Sequence, residues 1–348
     1  MDSKAGEASG MSDDYGLFIN PKDGGKPIEI TNNSYPLTFL KHIVIHPLEP
    51  QRYQKNKSVN VPGMSKYNVV IVPSALCHFL AYGSVQGVSI GSYWVSGDTF
   101  YCNYDWWGGD SGWLPGSDGN SHFFLYGVLK EAPQDSYGLF INSQLDAAID
   151  NFRAITQEST VAYCVYRKKI YIDVDKYSKG YWSIPADIPN RGSALVFLRP
   201  ESSGQVLRYD RPNSRVIARN AGYVYVVIFA YGLNLQPADG LTIWNKNGGV
   251  AFSSDYCPFY NNGQIVNTNN NVATSKFSVP MFTMDSPNTW LENERNSINC
   301  YMSGFVVSGN RIQATKMWTL DSYPSYANSM FNQIVYAGCY SIDFNDYF

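Results

Sequence analysis

Charge is scarce in this sequence: 16% of its residues are Asp, Glu, Lys or Arg, against roughly 25% in ordinary soluble proteins. With 26 basic and 29 acidic residues the net charge is −3, and no basic run stands out. The electropositive footprint that nucleic acid binding requires is therefore missing. No window reaches the roughly 18 apolar residues of a membrane-spanning helix. Met1–Asp14 is small and polar behind a single lysine, without the apolar core of a secretory signal, so synthesis in a cytoplasm is expected. Histidine is limited to positions 42, 46, 78 and 122. His42 and His46 bracket a strand-like run and fall on one face, but roughly 13 Å apart, too far to chelate one ion. A solvated or edge-strand setting is expected for both. Cys77 and His78 are strand neighbours that point to opposite faces, which excludes a dyad.

What is present suits strands and turns. Hydrophobic residues make up 44% of the chain and aromatics 15%, and β-branched and aromatic side chains fit a pleated surface. The clearest pattern is a recurrence. Tyr15-Gly16-Leu17-Phe18-Ile19-Asn20 returns as Tyr137-Gly138-Leu139-Phe140-Ile141-Asn142, and a weaker copy follows as Asp239-Gly240-Leu241-Thr242-Ile243. Copies roughly a hundred residues apart mark repeated domains. Leucine and isoleucine two places apart face one side of a strand. In the first copy Asp23-Gly24 and in the third Asn247-Gly248 supply the pair that tolerates a tight hairpin turn. The second copy lacks the turn glycine. There Leu145, Ala148, Ile149, Phe152 and Ile155 fall at helical spacing behind Ser143, so residues 143–156 read as hairpin or helix, with the near-identical flanking strand favouring the hairpin.

A second shared block aligns Tyr93-Trp94-Val95-Ser96-Gly97-Asp98-Thr99-Phe100 with Phe305-Val306-Val307-Ser308-Gly309-Asn310-Arg311-Ile312, and Trp106 then matches Trp318. The Ser-Gly-Asp/Asn centre reads as a hairpin turn, and the shared tryptophan as core. Each copy closes on an aromatic–glycine strand: Phe123–Gly127, Val227–Gly232 and Ile334–Gly338. The fold class expected is all-β, with three tandem β-sandwich-like repeats and few helices. A flexible arm over residues 1–13 precedes repeats at 14–129, 136–232 and 238–348, joined by short proline-containing linkers. The six cysteines do not recur with the repeats, so they read as reduced and mostly buried rather than as a disulfide framework.

Chemistry concentrates in what does not repeat. The stretch Asp105–His122 holds Trp107, Asp110, Trp113, Asp118 and Asn120 among glycines. Trp107 and Trp113 could serve as flat platforms for a sugar ring, with Asp110, Asp118 and Asn120 as hydrogen-bond partners. The same acids lack the ligand spacing of a calcium loop, and the glycines lack the strand–loop–helix setting of a phosphate cradle, so no cofactor or metal is implied. Burial of the tryptophans against a neighbouring subunit is the reading favoured. No carboxylate recurs beside an acid or base partner, so a glycan-cleaving enzyme is disfavoured. The polar tract Asn261–Asn271 reads as a surface loop.

At its recurring opening the sequence resembles a group of small tail-associated virion proteins of tailed bacteriophages. Their N-termini run Tyr-Gly-Leu-x-Ile or Val, Asn, a glycine turn, then an apolar strand ending Phe-Asp-Ser. Tyr15–Asn20 with Gly24, Tyr137–Asn142, and Gly240–Ile243 with Gly248 and Phe252-Ser253-Ser254 carry the likeness; Ser253 stands where the pattern has Asp. The resemblance implies a non-enzymatic virion component of the tail that contacts other virion proteins and further copies of itself. Contact with a host glycan or receptor through residues 105–122 is the alternative expectation.

Overall fold

The computed structural model describes residues 16–20, 27–31, 35–46, 56–81, 85–108, 120–131, 138–142, 152–156, 159–177, 179–260, 262–267, 272–285, 289–294, 297–324 and 338–348. At 77–81, 85–89 and 105–108, among others, the backbone alone is described. The expected arm at residues 1–13 lies outside the described residues. The protein is all-β: the described residues form several antiparallel sheets, with short 3-10 turns and no α-helix. None of the described helices is long and apolar enough to cross a membrane.

The first segment comprises β1 (Gly16–Ile19), β2 (Ile28–Thr31), β3 (Thr38–Ile45), β4 (Asn56–Asn60), β5 (Tyr67–Ser74), β6 (Cys77–Ala81), β7 (Val85–Ser96), β8 (Thr99–Gly108) and β9 (Ser121–Leu129). The second comprises β10 (Gly138–Asn142), β11 (Phe152–Thr156), β12 (Tyr163–Ile172), β13 (Gly180–Ser183), β14 (Leu195–Pro200), β15 (Leu207–Asp210), β16 (Arg215–Ala218) and β17 (Gly222–Ala230). The third comprises β18 (Thr242–Trp244), β19 (Val250–Ser253), β20 (Gln264–Asn267), β21 (Val272–Thr274), β22 (Pro280–Thr283), β23 (Thr289–Glu294), β24 (Ser297–Ser308), β25 (Arg311–Pro324) and β26 (Gly338–Asp343).

Each segment opens with a two-stranded antiparallel hairpin: β1–β2, β10–β11 and β18–β19. The second copy is thus a hairpin, with Leu139 opposite Ile155 as Leu17 is opposite Ile30; residues 143–150 lie outside the described residues. The third turn forms where Asn-Gly-Gly placed it. Gly248 has φ +82, and the Asn245 side chain accepts from Asn247 N at 2.9 Å and Gly249 N at 3.0 Å.

After the hairpin, one strand order recurs. An inner sheet runs β3-β9-β5 in the first segment; its counterparts are β12-β17-β14 and β20-β26-β22. The closing strand is always the middle one. An outer sheet runs β4-β8-β7-β6, then β13-β16-β15, then β21-β25-β24 with β23 beside β24. The turns between β7 and β8 and between β24 and β25 place glycine first of two loop residues, Gly97 at φ +56 and Gly309 at φ +59, where an L side chain is disfavoured. In both, the next residue's carbonyl accepts from the residue just past the outer sheet's first strand: Asp98 O from Val61 N, after β4, at 2.7 Å, and Asn310 O from Ser275 N, after β21, at 2.9 Å.

The segments are not separate beads. β14 pairs with β22, and β15 meets β24 at Leu207 and Phe305, so the second and third segments share a six-stranded and a seven-stranded sheet across residues 232–238. Two cores lie between inner and outer sheets: Ile43, Phe100, Phe123 and Leu125 in the first segment, and Val196, Leu198, Val226, Phe282 and Phe305 in the shared pair. A third core gathers the opposite faces of the inner sheets, with Phe124 and Tyr126 of β9, Phe197 of β14, Phe229 of β17 and Tyr340 of β26. The opening hairpins pack on it through Ile30, Ile155, Ile243 and Phe252. This explains the run Phe123-Phe124-Leu125-Tyr126: a strand buried on both faces loses the polar alternation. Each buried phenylalanine contributes about 1.5–3 kcal/mol.

Of the third closing strand expected at Ile334–Gly338, residues 334–337 lie outside the described residues, and β26 runs from Gly338 to Asp343. Two local expectations need correction. Gln264–Asn267, expected in a loop, is strand β20, because pairing with β26 satisfies its backbone. Trp318, expected as core, is half-buried and packs against a small separate cluster of Val206, Ile217 and Met317; the register shifts at Met302/Ser303 in its pairing. Cys102, Cys257 and Cys339 are buried, Cys164 is half-buried, and all four are free thiols.

Candidate functional site

Of the five candidate residues, Asp110, Trp113 and Asp118 lie outside the described residues. Trp107 is described by its backbone alone, opposite Gly87 near the end of β8, and Asn120 is half-buried just before β9. Among the described residues, the densest polar chemistry lies where the three segments meet.

Arg211, just past the end of β15, is its centre. Its Nε donates to Asp285 Oδ1 at 3.1 Å and its Nη2 to Asp285 Oδ2 at 3.3 Å, a two-pronged ion pair. The two side chains are only 3% and 2% exposed. Nε also donates to Ser74 Oγ at 3.1 Å, and Nη1 to the carbonyls of Gly192 at 3.1 Å and Ala194 at 2.9 Å. The guanidinium stands 4.9 Å from the ring centres of both Phe124 and Tyr209. Asp285 is placed by a parallel bridge to Tyr209, whose N–H donates to Met284 O at 2.8 Å. Burial pushes the Asp285 carboxyl up, against the pull of Arg211. Burial opposes the charge on Arg211 as well, but Asp285 outweighs it and holds the guanidinium charged. A buried charge needs such partners, since an unpaired one costs several kcal/mol.

Beside it stands a histidine pair. Across the β3–β9 ladder, His42 Nε2 lies 2.9 Å from His122 Nδ1, and the His42 ring stacks on Phe124 at 4.5 Å. His42 Nδ1 lies 2.9 Å from Ser193 Oγ, on the 3-10 turn Arg191–Ser193 that follows Asn190 at φ +49. His42 is on an edge strand as expected, but it is half-buried and bonded rather than solvated. Burial, then the charge of Arg211, pushes its pKa down to about 4. A serine beside a histidine is the geometry of an activated nucleophile. Here the histidine is a weak base, and the N–H groups of Ser193 and Ala194 already donate to Asn190 O and Arg191 O, so neither is open to stabilise an oxyanion. The arrangement suits holding parts together better than moving a proton.

Sequence reasoning missed this junction. Its members come from all three segments and are separated by 80, 151 and 74 residues; no local spacing signals them. No group of three or more His, Cys, Asp or Glu able to hold a metal occurs among the described residues. A cavity of about 380 Å³ lies between the second segment and the third hairpin, lined by Val161, Leu233, Leu235, Asn245 and Val250. Its acid–base groups are Lys246 and Tyr163, and burial raises the latter far above the usual tyrosine range.

Residues 16–325 match the sequence profile of a family described as "Family of unknown function (DUF6453)". No curated protein and no solved structure matches the chain.

Proposed function

Because the chain belongs to this family of unknown function, we propose from its own residues that it is a non-enzymatic structural component of a bacteriophage virion, associated with the tail and acting through subunit contacts. In this reading the chain is three copies of one two-sheet β-sandwich unit, at residues 14–129, 136–232 and 238–348, whose partners are other virion proteins and further copies of itself. The observation that carries it is the recurrence of one strand order behind each opening hairpin, with all three units closing on a single apolar core. Permanent subunit contacts favour such apolar, low-charge chains. The junction at Arg211 supports the non-enzymatic part: its polar groups are committed to one another and to carbonyls of the units they join.

Mass spectrometry of purified particles from a phage encoding the chain, with light scattering on the isolated protein, tests the proposal. The chain is expected in stoichiometric amount in particles and as a defined oligomer in solution. A stable monomer absent from particles overturns it. The glycan- or receptor-binding alternative on residues 105–122 has its own test, host-cell binding by Trp107→Ala and Trp113→Ala against the unsubstituted chain.

A further inference from the structure

Two cysteines face each other where the third segment folds back on the second. The stretch after β19 runs antiparallel to the start of β12: Pro258 bridges Tyr163, Cys164 N donates to Cys257 O at 2.8 Å, and Phe259 N donates to Ala162 O at 2.8 Å. In this register Cys164 and Cys257 are direct neighbours across the ladder. Residues so placed have Cα atoms roughly 5.5 Å apart and side chains on one face, within the Cα separation of about 4.4–6.8 Å that a disulfide requires. Both side chains pack on the core shared by the three segments. Burial raises the Tyr347 hydroxyl well above the usual tyrosine range, and both thiols add to that rise, so the two sulfurs flank one ring.

The approach is fixed by more than the ladder. Tyr163 Oη accepts from Ser253 N at 3.3 Å, and the Tyr163 ring meets Tyr256 edge-on at 5.8 Å. Access to the pair is unequal, since Cys164 is half-buried while Cys257 is 7% exposed. Cys102 and Cys339 lie in the two other cores. There burial pushes their thiols up to about 11 and about 12, and a thiol held protonated is a poor nucleophile.

We propose that Cys164 and Cys257 are an oxidisable pair, which a small-molecule disulfide closes into a covalent clamp between the second and third segments. The more accessible Cys164 thiolate attacks one sulfur of the oxidant, whose S–S bond breaks and releases one thiolate. The Cys257 thiolate then attacks the Cys164 sulfur and displaces the other. One S–S bond forms and one breaks; the protein loses two electrons and two protons, and the oxidant becomes two thiols. The clamp stays open in a reducing cytoplasm and closes outside it. The inference does not depend on the particle assignment.

Incubating the full chain with oxidised glutathione without denaturant, capping with N-ethylmaleimide and digesting without reductant tests it, with mass spectrometry reading the linkage. The peptides carrying Cys164 and Cys257 are expected joined. The melting midpoint is expected to rise by several degrees over the reduced protein, because linking residues so far apart in the chain restricts the unfolded state. Cys257→Ala stops at a glutathione mixed disulfide on Cys164 and shows no such rise. Recovery of both cysteines capped with maleimide, arrest of the unsubstituted chain at the mixed disulfide, or a joined product that melts no higher than the reduced protein each overturns the proposal.

Discussion

Arg211 and Asp285 form a two-pronged ion pair, 3.1 Å at its shorter contact, with both side chains almost fully removed from solvent. They come from different segments, and the same guanidinium reaches Ser74 of the first. Removing one partner leaves a buried charge without its counter-ion. Asp285→Leu is therefore expected to destabilise the fold by about 3–5 kcal/mol. Arg211→Met/Asp285→Leu is expected to recover part of that loss, because both charges go together. Urea denaturation of the two variants checks it; a double variant no more stable than Asp285→Leu alone would contradict the pairing.

His42 stays neutral in the folded protein down to about pH 4, whereas in the unfolded chain it takes up a proton near 6.5. Between those values the unfolded chain binds more protons. Its contribution to stability is fully present above pH 6.5 and is lost as pH falls towards 4, a span of roughly 3 kcal/mol. Asp98 acts in the same sense lower down: hydrogen bonds from Ser65 and Gly63 hold its carboxyl at about 2, so its contribution is present above the usual carboxylate pKa and fades below it. Urea midpoints at pH 7.5 and 5.5 should fall for the wild type. The fall should be smaller for His42→Gln, and equal slopes would count against the histidine pair.

Tyr209 is fully buried, its ring lies against Arg211, and its hydroxyl has no hydrogen-bond partner among the described residues. Burial pushes that hydroxyl up to about 12. Tyr209→Phe removes a desolvated group and keeps the ring, so stability is expected unchanged or up to about 1 kcal/mol higher. A lower melting temperature would show that the oxygen has a role.

Gly138 of the recurring opening lies so close to β11 that a Cβ there would overlap the carbonyl of Ile155 and the Cα of Thr156. Backbone cannot yield as a flexible side chain can. Gly138→Ala is expected to destabilise by about 1–3 kcal/mol, measured by thermal melting, with Gly204→Ala as a control in open space.

Much of the architecture was legible locally. Leu17, Leu139 and Leu241 mark hairpins that all form, and Ser-Gly-Asp/Asn marks turns at Gly97 and Gly309 that both form. These depend on the period of two and on glycine's freedom at positive φ, which nearest neighbours encode. The double-sided burial of β9 was also written in its unbroken apolar run. Less legible was the candidate site, since the tryptophan-rich loop drew attention by composition while the polar junction left no compositional trace.

By itself, the sequence determined that the chain is built of strands, where its tight turns fall and that its opening hairpin recurs, because such properties arise from residues adjacent in the chain. Only the tertiary structure decided that β14 joins β22, that three inner sheets share one core, and that His42, Ser193, Arg211 and Asp285 meet. Which sheet edges abut and which faces bury one another depends on packing between residues far apart in the chain, and a side chain such as Arg211 becomes the centre of a network only when that packing removes it from water.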